Sequence, residues 1–220
     1  MRTVMVWLDT LTPFLALATG IYASRTTYWK KHTTWLVGYV VAIFIVNAVG
    51  NILSEFFLLN NHAVYHVGNL LNMVMLSLYF FYLPAVGQFK RLVVSLAILT
   101  IVLNISYKLI QQNFYIFDSF GFGLSSFVFT IYAMLFYIGL IQNQKGENLF
   151  TLPDFWMVTG IFFYYASCFF IFLLYQHYTR LGVTNIGILW KFQNIMLSIM
   201  CITIIKGFLC RVSRTTLSLL

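Results

Sequence analysis

The chain has 220 residues and a formal net charge of +8, with 61% hydrophobic and only 8% charged residues. A soluble domain carries roughly 25% charged residues. Charge this sparse cannot coat a water-facing surface, which excludes an ordinary soluble protein and leaves most of the exterior to face lipid.

In lipid, backbone amides must bond within their own segment or in a closed barrel. Runs such as residues 92–103 lack the alternation of a barrel strand, so helices are expected. A helix needs about 20 apolar residues to cross the hydrocarbon core. The pattern predicts an all-α integral membrane protein: one domain over residues 1–220, folded as a seven-transmembrane-helix bundle. Its helices are expected at roughly 5–24, 35–59, 64–86, 92–110, 116–142, 155–177 and 187–210.

The first segment resembles a secretory signal, with Arg2, an apolar run and the small residues Ala23 and Ser24. Asp9 and Pro13 interrupt that run, however, and Arg25, Lys30 and Lys31 follow it. Excess positive charge after a segment holds that side in the cytoplasm, so a retained helix with its N-terminus outside is expected. Asp9 then lies in its outer part. The second segment carries Asn47, Asn51 and Glu55 at i, i+4 and i+8, on one helical face. An acidic group at the bilayer centre costs about 2.5 kcal/mol or more, so this stripe should face the protein interior.

The third segment follows a short turn, Asn60-Asn61-His62-Ala63, and carries His66, Asn69 and Asn72. So short a connection makes the second and third helices antiparallel neighbours. Glu55 and His66 both fall within roughly 6 Å of the same interface, at 1.5 Å per residue. A Glu55–His66 hydrogen bond is expected, with Asn51 and Asn69 one layer deeper. Further along, Lys108 ends the fourth segment and Asp118 opens the fifth, whose Gly121, Gly123 and Ser125 permit close packing. His177 ends the sixth, and Lys191, Asn194 and Ser198 form a stripe at the start of the seventh. With the N-terminus outside, all of these groups fall in the outer half. The cytoplasmic half is expected to hold nothing comparable, only cations snorkelling from helix ends.

Two signals bear on orientation. Arg25, Lys30, Lys31, Lys90, Arg91, Lys145, Lys206, Arg211 and Arg214 fall on the inner side, against Arg2, Lys108, Arg180 and Lys191 outside. Trp7, Trp29, Trp35, Trp156 and Trp190 all lie close to helix ends, where amphipathic rings favour the membrane interface. The net positive charge follows from this bias. No basic run is long enough for nucleic acid, and the bilayer itself is the first partner. Cys168, Cys201 and Cys210 lie inside helices, which argues against a structural disulfide.

Plainer readings compete at each position. Membrane asparagines act as interhelical glue worth about 0.6 kcal/mol, the reading favoured for Asn47 and Asn104. Lys108 and Asp118 read as an interfacial ion pair, His177 and Arg180 as solvated loop residues. His62 and His66 are spaced i, i+4, but His62 sits in a turn, and no metal or other cofactor is assigned. No nucleophile elbow, zinc-binding helix or phosphate loop occurs.

Three stretches, NNHAVYHVGNLLNMV, FWMVTGIFFYYASCFFIFLL and ILWKFQNIMLSIMCI, resemble a loose group of uncharacterised seven-helix bacterial inner-membrane proteins of the Bacteroidetes type. Members are often encoded near sensor histidine kinases. They often carry Glu where this chain has Asn72, and His where it has Phe192, Gln193 and Asn194. The resemblance implies a multi-pass protein of the bacterial inner membrane in a sensing or accessory role, with a histidine kinase as signalling partner. Retinal proteins fit poorly, because Lys206 lies near the inner end of the seventh segment.

The expected function is therefore a membrane sensor or accessory protein that binds a small or lipid-derived ligand in an outer pocket. Glu55 and His66 would anchor the ligand, Asn51, Asn69, Asn72 and Asn194 would orient it, and Asp9, Asp118 and Lys191 would set the local charge. Two alternatives stay open. One is an intramembrane lipid hydrolase or transferase with Glu55 or Asp118 as base and His66 as acid. The other is a structural subunit of a membrane complex.

Overall fold

Hydropathy alone demands helices, and the computed structural model consists of them. It describes residues 2–26, 30–111, 117–143, 148–181 and 187–217, and no strand occurs among them. Trp29 and Lys145 lie outside the described residues, as do the side chains of Arg2, Arg180, Arg211 and Arg214. Seven helices run in order: α1 (Arg2–Thr26), α2 (Lys31–Glu55), α3 (His62–Tyr82), α4 (Lys90–Gln111), α5 (Ser119–Asn143), α6 (Pro153–Arg180) and α7 (Gly187–Leu217). Short 3-10 turns, Pro84–Phe89 and Leu149–Thr151, precede α4 and α6.

Each helix packs on its sequence neighbours, and α1 closes the ring by packing on α7 as well as α2. α3 reaches α5 directly. That leaves α4 at the periphery, with Leu92, Ile98, Leu99, Val102 and Leu109 exposed along it. Such residues at the surface of so apolar a chain are the lipid-facing side.

Two helices end four residues before the hydropathy pattern predicts, for local reasons, while α7 continues to Leu217 instead of ending near residue 210. α3 stops at Tyr82 instead of continuing to residue 86, because Pro84 pushes Leu83 into an extended conformation (φ −68°, ψ 126°). Pro84 then occupies the first turn of the 3-10 segment, where its missing N–H is harmless. α2 ends at Glu55 instead of residue 59. Leu58 there turns into the left-handed region (φ 54°), and the Leu59 N–H reaches back to the Leu53 carbonyl at 2.9 Å.

The interior is aromatic. Tyr39, Tyr79, Tyr132, Phe80, Phe129 and Phe136 are fully buried. A buried hydroxyl needs a partner, and several are supplied between helices. The Tyr39 and Tyr165 hydroxyls meet at 2.9 Å, and the Tyr132 hydroxyl donates to the Val93 carbonyl at 2.8 Å.

Among the described residues, six segments are long and apolar enough to cross a membrane, in α2, α3, Pro84–Ile110, α5, α6 and α7, with mean hydropathy from 1.3 to 2.2. The chain is a multi-pass helical membrane protein.

Candidate functional site

Pro13 lies inside α1 and has no N–H to donate, so the carbonyl four residues earlier, that of Asp9, loses its helical partner. Asn47 of α2 takes its place: its Nδ2 donates to the Asp9 carbonyl at 2.9 Å. One turn along α2, Asn51 Nδ2 lies 2.9 Å from both Asp9 Oδ1 and Thr10 Oγ1, and the Thr10 hydroxyl donates to Asp9 Oδ1 at 3.3 Å. The stripe at i, i+4 on α2 therefore faces α1. It holds the Asp9 carboxylate in place, buried to 8% exposure.

Glycines let α3 come close on the other side. A Cβ on Gly68 would lie 2.7 Å from Val46 Cγ1, and one on Gly50 would lie 2.9 Å from the Tyr65 hydroxyl. Asn61 ties the corner by donating to the Gly50 carbonyl at 3.2 Å. These contacts bring Asp9, Asn47, Asn51, Asn61, Asn69 and Asn72 onto one side of a cavity of about 290 Å³. The opposite side is aromatic and comes from α5, α6 and α7. Phe117 sits at its centre, with ring centroids 5.1 Å from Phe122, 4.8 Å from Tyr175 and 5.4 Å from Trp190. Tyr164, Tyr165, Phe172, Gln193 and Asn194 complete that wall, and Gln193 donates to the Tyr164 hydroxyl at 3.0 Å.

The cavity lies at the end of the bundle where α2 ends and α3 begins. Five expected site residues line it: Asp9, Asn51, Asn69, Asn72 and Asn194. Four do not. Glu55 is exposed, because α2 ends there and residues 56–60 beyond it are exposed too. The expected Glu55–His66 bond is not formed. Lys191 is also exposed and does not line the cavity.

His66 and Asp118 are buried behind the wall in a cluster with Lys108. Lys108 Nζ lies 3.3 Å from His66 Nε2 and 3.6 Å from Asp118 Oδ2, and His66 Nδ1 is 4.0 Å from the same carboxylate oxygen. With a charged lysine as donor, Nε2 is the acceptor and Nδ1 carries the hydrogen that faces Asp118. Asp118 also caps α5, its Oδ1 accepting the Gly121 N–H at 2.8 Å. The cluster therefore joins α3, α4 and α5. Lys108 and Asp118 do pair, but buried between helices instead of in an outer loop.

Several lining residues were not singled out by sequence. Asn47, expected as interhelical glue, is that and cavity wall as well. Tyr65, Tyr164, Tyr165 and Tyr175 carried no distinguishing signal in a chain that is 19% aromatic. Trp190, expected close to a helix end at the membrane interface, also lines the cavity.

The opposite end of the bundle is not empty of buried polar groups either. His32 of α2, only 2% exposed, places Nε2 3.2 Å from Asp154 Oδ1 of α6. At that end Lys31, Lys90 and Lys206 lie over the rings of Tyr82, Phe81 and Trp156, at 4.3, 5.4 and 3.4 Å from the centroids.

Fold and site together define a multi-pass helical membrane protein enclosing a half-polar, half-aromatic cavity at one end of its bundle. No family model, curated protein or solved structure matches the chain.

Proposed function

We propose that this chain is a seven-crossing membrane sensor or accessory protein that binds a small or lipid-derived ligand in the cavity between α1–α3 and α5–α7. The observation that carries this reading is the cavity itself. About 290 Å³ is close to the lower end of small-molecule sites, and a few placed polar groups against an apolar wall is their usual lining. Amides from Asn69, Asn72 and Asn194 would orient the ligand, and the rings around Phe117 would hold its apolar part. Because the aromatic half belongs to α5, α6 and α7, occupancy would act on those helices and through them on a partner.

The proposed orientation puts the N-terminus and the cavity on the extracytoplasmic side and the C-terminus in the cytoplasm. The cations lying on aromatic rings at the opposite end support it, since positive residues favour the cytoplasmic interface. A bacterial inner membrane and a histidine kinase partner remain expectations carried by the sequence resemblance. The hydrolase alternative draws no support from the geometry. Glu55 is exposed, and His66 and Asp118 do not line the space where a substrate would sit.

Native mass spectrometry of protein released from native-lipid nanodiscs tests the binding reading. A bound species should be retained by the wild type and lost from Asn72→Phe, which fills the cavity. Identical spectra for the two would overturn it. Reporter fusions at both termini test the orientation, and a cytosolic N-terminus would reverse it.

A further inference from the structure

We propose that the ligand of this cavity is an organic ammonium ion, a protonated amine with an apolar body; this rests on the cavity being a ligand site. Charge balance is the first argument. Among the described residues, Asp9 is the one acidic group on the cavity wall, and no lysine or arginine lines it. The nearest candidate for compensation, Lys108, is committed to Asp118 at 3.6 Å and to His66 at 3.3 Å. Asp9 is held instead by neutral donors, Asn51 and Thr10. His62, beside Phe117, is the remaining basic side chain among the described wall residues. A buried carboxylate without a cation either takes up a proton or recruits a positive partner.

The second argument is hydrogen-bonding capacity. Among the described residues, the side-chain hydrogen bonds to Asp9, from Asn51 and Thr10, both end on Oδ1. Asn72 Oδ1 is also buried and accepts none among them. A carboxylate and an open amide acceptor on one cavity call for a ligand rich in N–H donors, and an ammonium group carries three. The third argument is the opposite wall. Ring faces attract cations within about 6 Å of a centroid, and they also bury an apolar body. Phe117, Tyr175 and Trp190 provide such a surface, edge to face with one another. An anionic ligand would meet Asp9 without a compensating lysine or arginine on the wall.

A free amine and the ethanolamine headgroup of a lipid share this chemistry. The test uses the full chain in phosphatidylglycerol nanodiscs, which contain no amine lipid, and titrates four matched probes by calorimetry. They are phenethylamine, its N-trimethyl derivative, the neutral 2-phenylethanol and the anionic 3-phenylpropanoate. Phenethylamine should bind at least tenfold more tightly than 2-phenylethanol, with the trimethyl derivative weaker than phenethylamine and the anion weakest. Asp9→Asn should abolish the tenfold preference. Should that variant fail to fold, the comparison of probes on the wild type decides alone.

Adding phosphatidylethanolamine to the nanodiscs separates the sources. Weakened phenethylamine binding identifies the headgroup as occupant, and unchanged binding identifies a soluble amine; either keeps the proposal. Equal binding of phenethylamine and 2-phenylethanol overturns the ammonium assignment while leaving a ligand site in place. Tightest binding of 3-phenylpropanoate does the same. Binding of none of the four overturns both readings.

Discussion

The Pro13–Asn47 relationship offers a double-mutant test. Pro13 deprives the Asp9 carbonyl of its helical donor, and Asn47 supplies another at 2.9 Å. Asn47→Leu preserves bulk but leaves that carbonyl without a donor at a position 8% exposed. A typical interhelical hydrogen bond in a membrane protein is worth about 0.6 kcal/mol, because the broken group finds other partners. Here the helix itself provides no replacement, so the expected loss is nearer the cost of an orphaned buried acceptor, about 1–3 kcal/mol. In a Pro13→Ala background, the new N–H at position 13 reaches the Asp9 carbonyl as an ordinary i→i−4 bond. Asn47→Leu should then cost only about 0.5 kcal/mol, giving a coupling of about 1–2 kcal/mol. Equilibrium unfolding in mixed micelles with increasing SDS, followed by circular dichroism, measures all four corners. Equal losses in the two backgrounds, within about 0.5 kcal/mol, would refute the reasoning.

Three further outcomes are expected. Lys108→Met leaves Asp118 buried beside an uncompensated interior and should cost about 3–5 kcal/mol, seen as a Tm drop on the order of 10 °C; the double variant with Asp118→Asn should recover most of it, because Asn still caps α5. Gly68→Ala should destabilise the α2–α3 contact, since its Cβ would fall 2.7 Å from Val46 Cγ1, and Val46→Ala in the same chain should restore part of the loss in the same unfolding assay. Glu55→Gln, at an exposed position off the cavity wall, should leave both thermal stability and retention of the bound species unchanged; a loss of either would bring Glu55 back into the site.

Much of this protein was legible from local pattern. Runs of apolar residues specified the helices, since unpaired amides cannot survive in lipid. The stripe of Asn47 and Asn51 correctly named its own face. The convergence of polar groups on one end followed from counting residues inward from the turns. Periodicity could also foresee that Asp9, Asn51, Asn69, Asn72 and Asn194 sit at a common depth. It could not choose their partners. Glu55 shared the stripe of Asn51, yet it falls on the last residue of α2, and the left-handed turn at Leu58 follows it. His66 sat at the right depth but met Lys108 and Asp118, which approach from α4 and α5. The aromatic wall was invisible for a different reason. With 23 phenylalanines and 14 tyrosines, no ring stands out until α5, α6 and α7 are placed side by side.

Sequence by itself determined the solvent, the helices and the end of the bundle to which the cavity's polar groups belong, because these depend on hydrophobicity and on a fixed rise per residue. Tertiary structure alone decided which side chains meet, because that depends on how each helix is rotated and how closely its glycines let it approach. Asp9 became a cavity carboxylate held by Asn51, and Lys108 was drawn away to Asp118, through packing between helices distant in the chain.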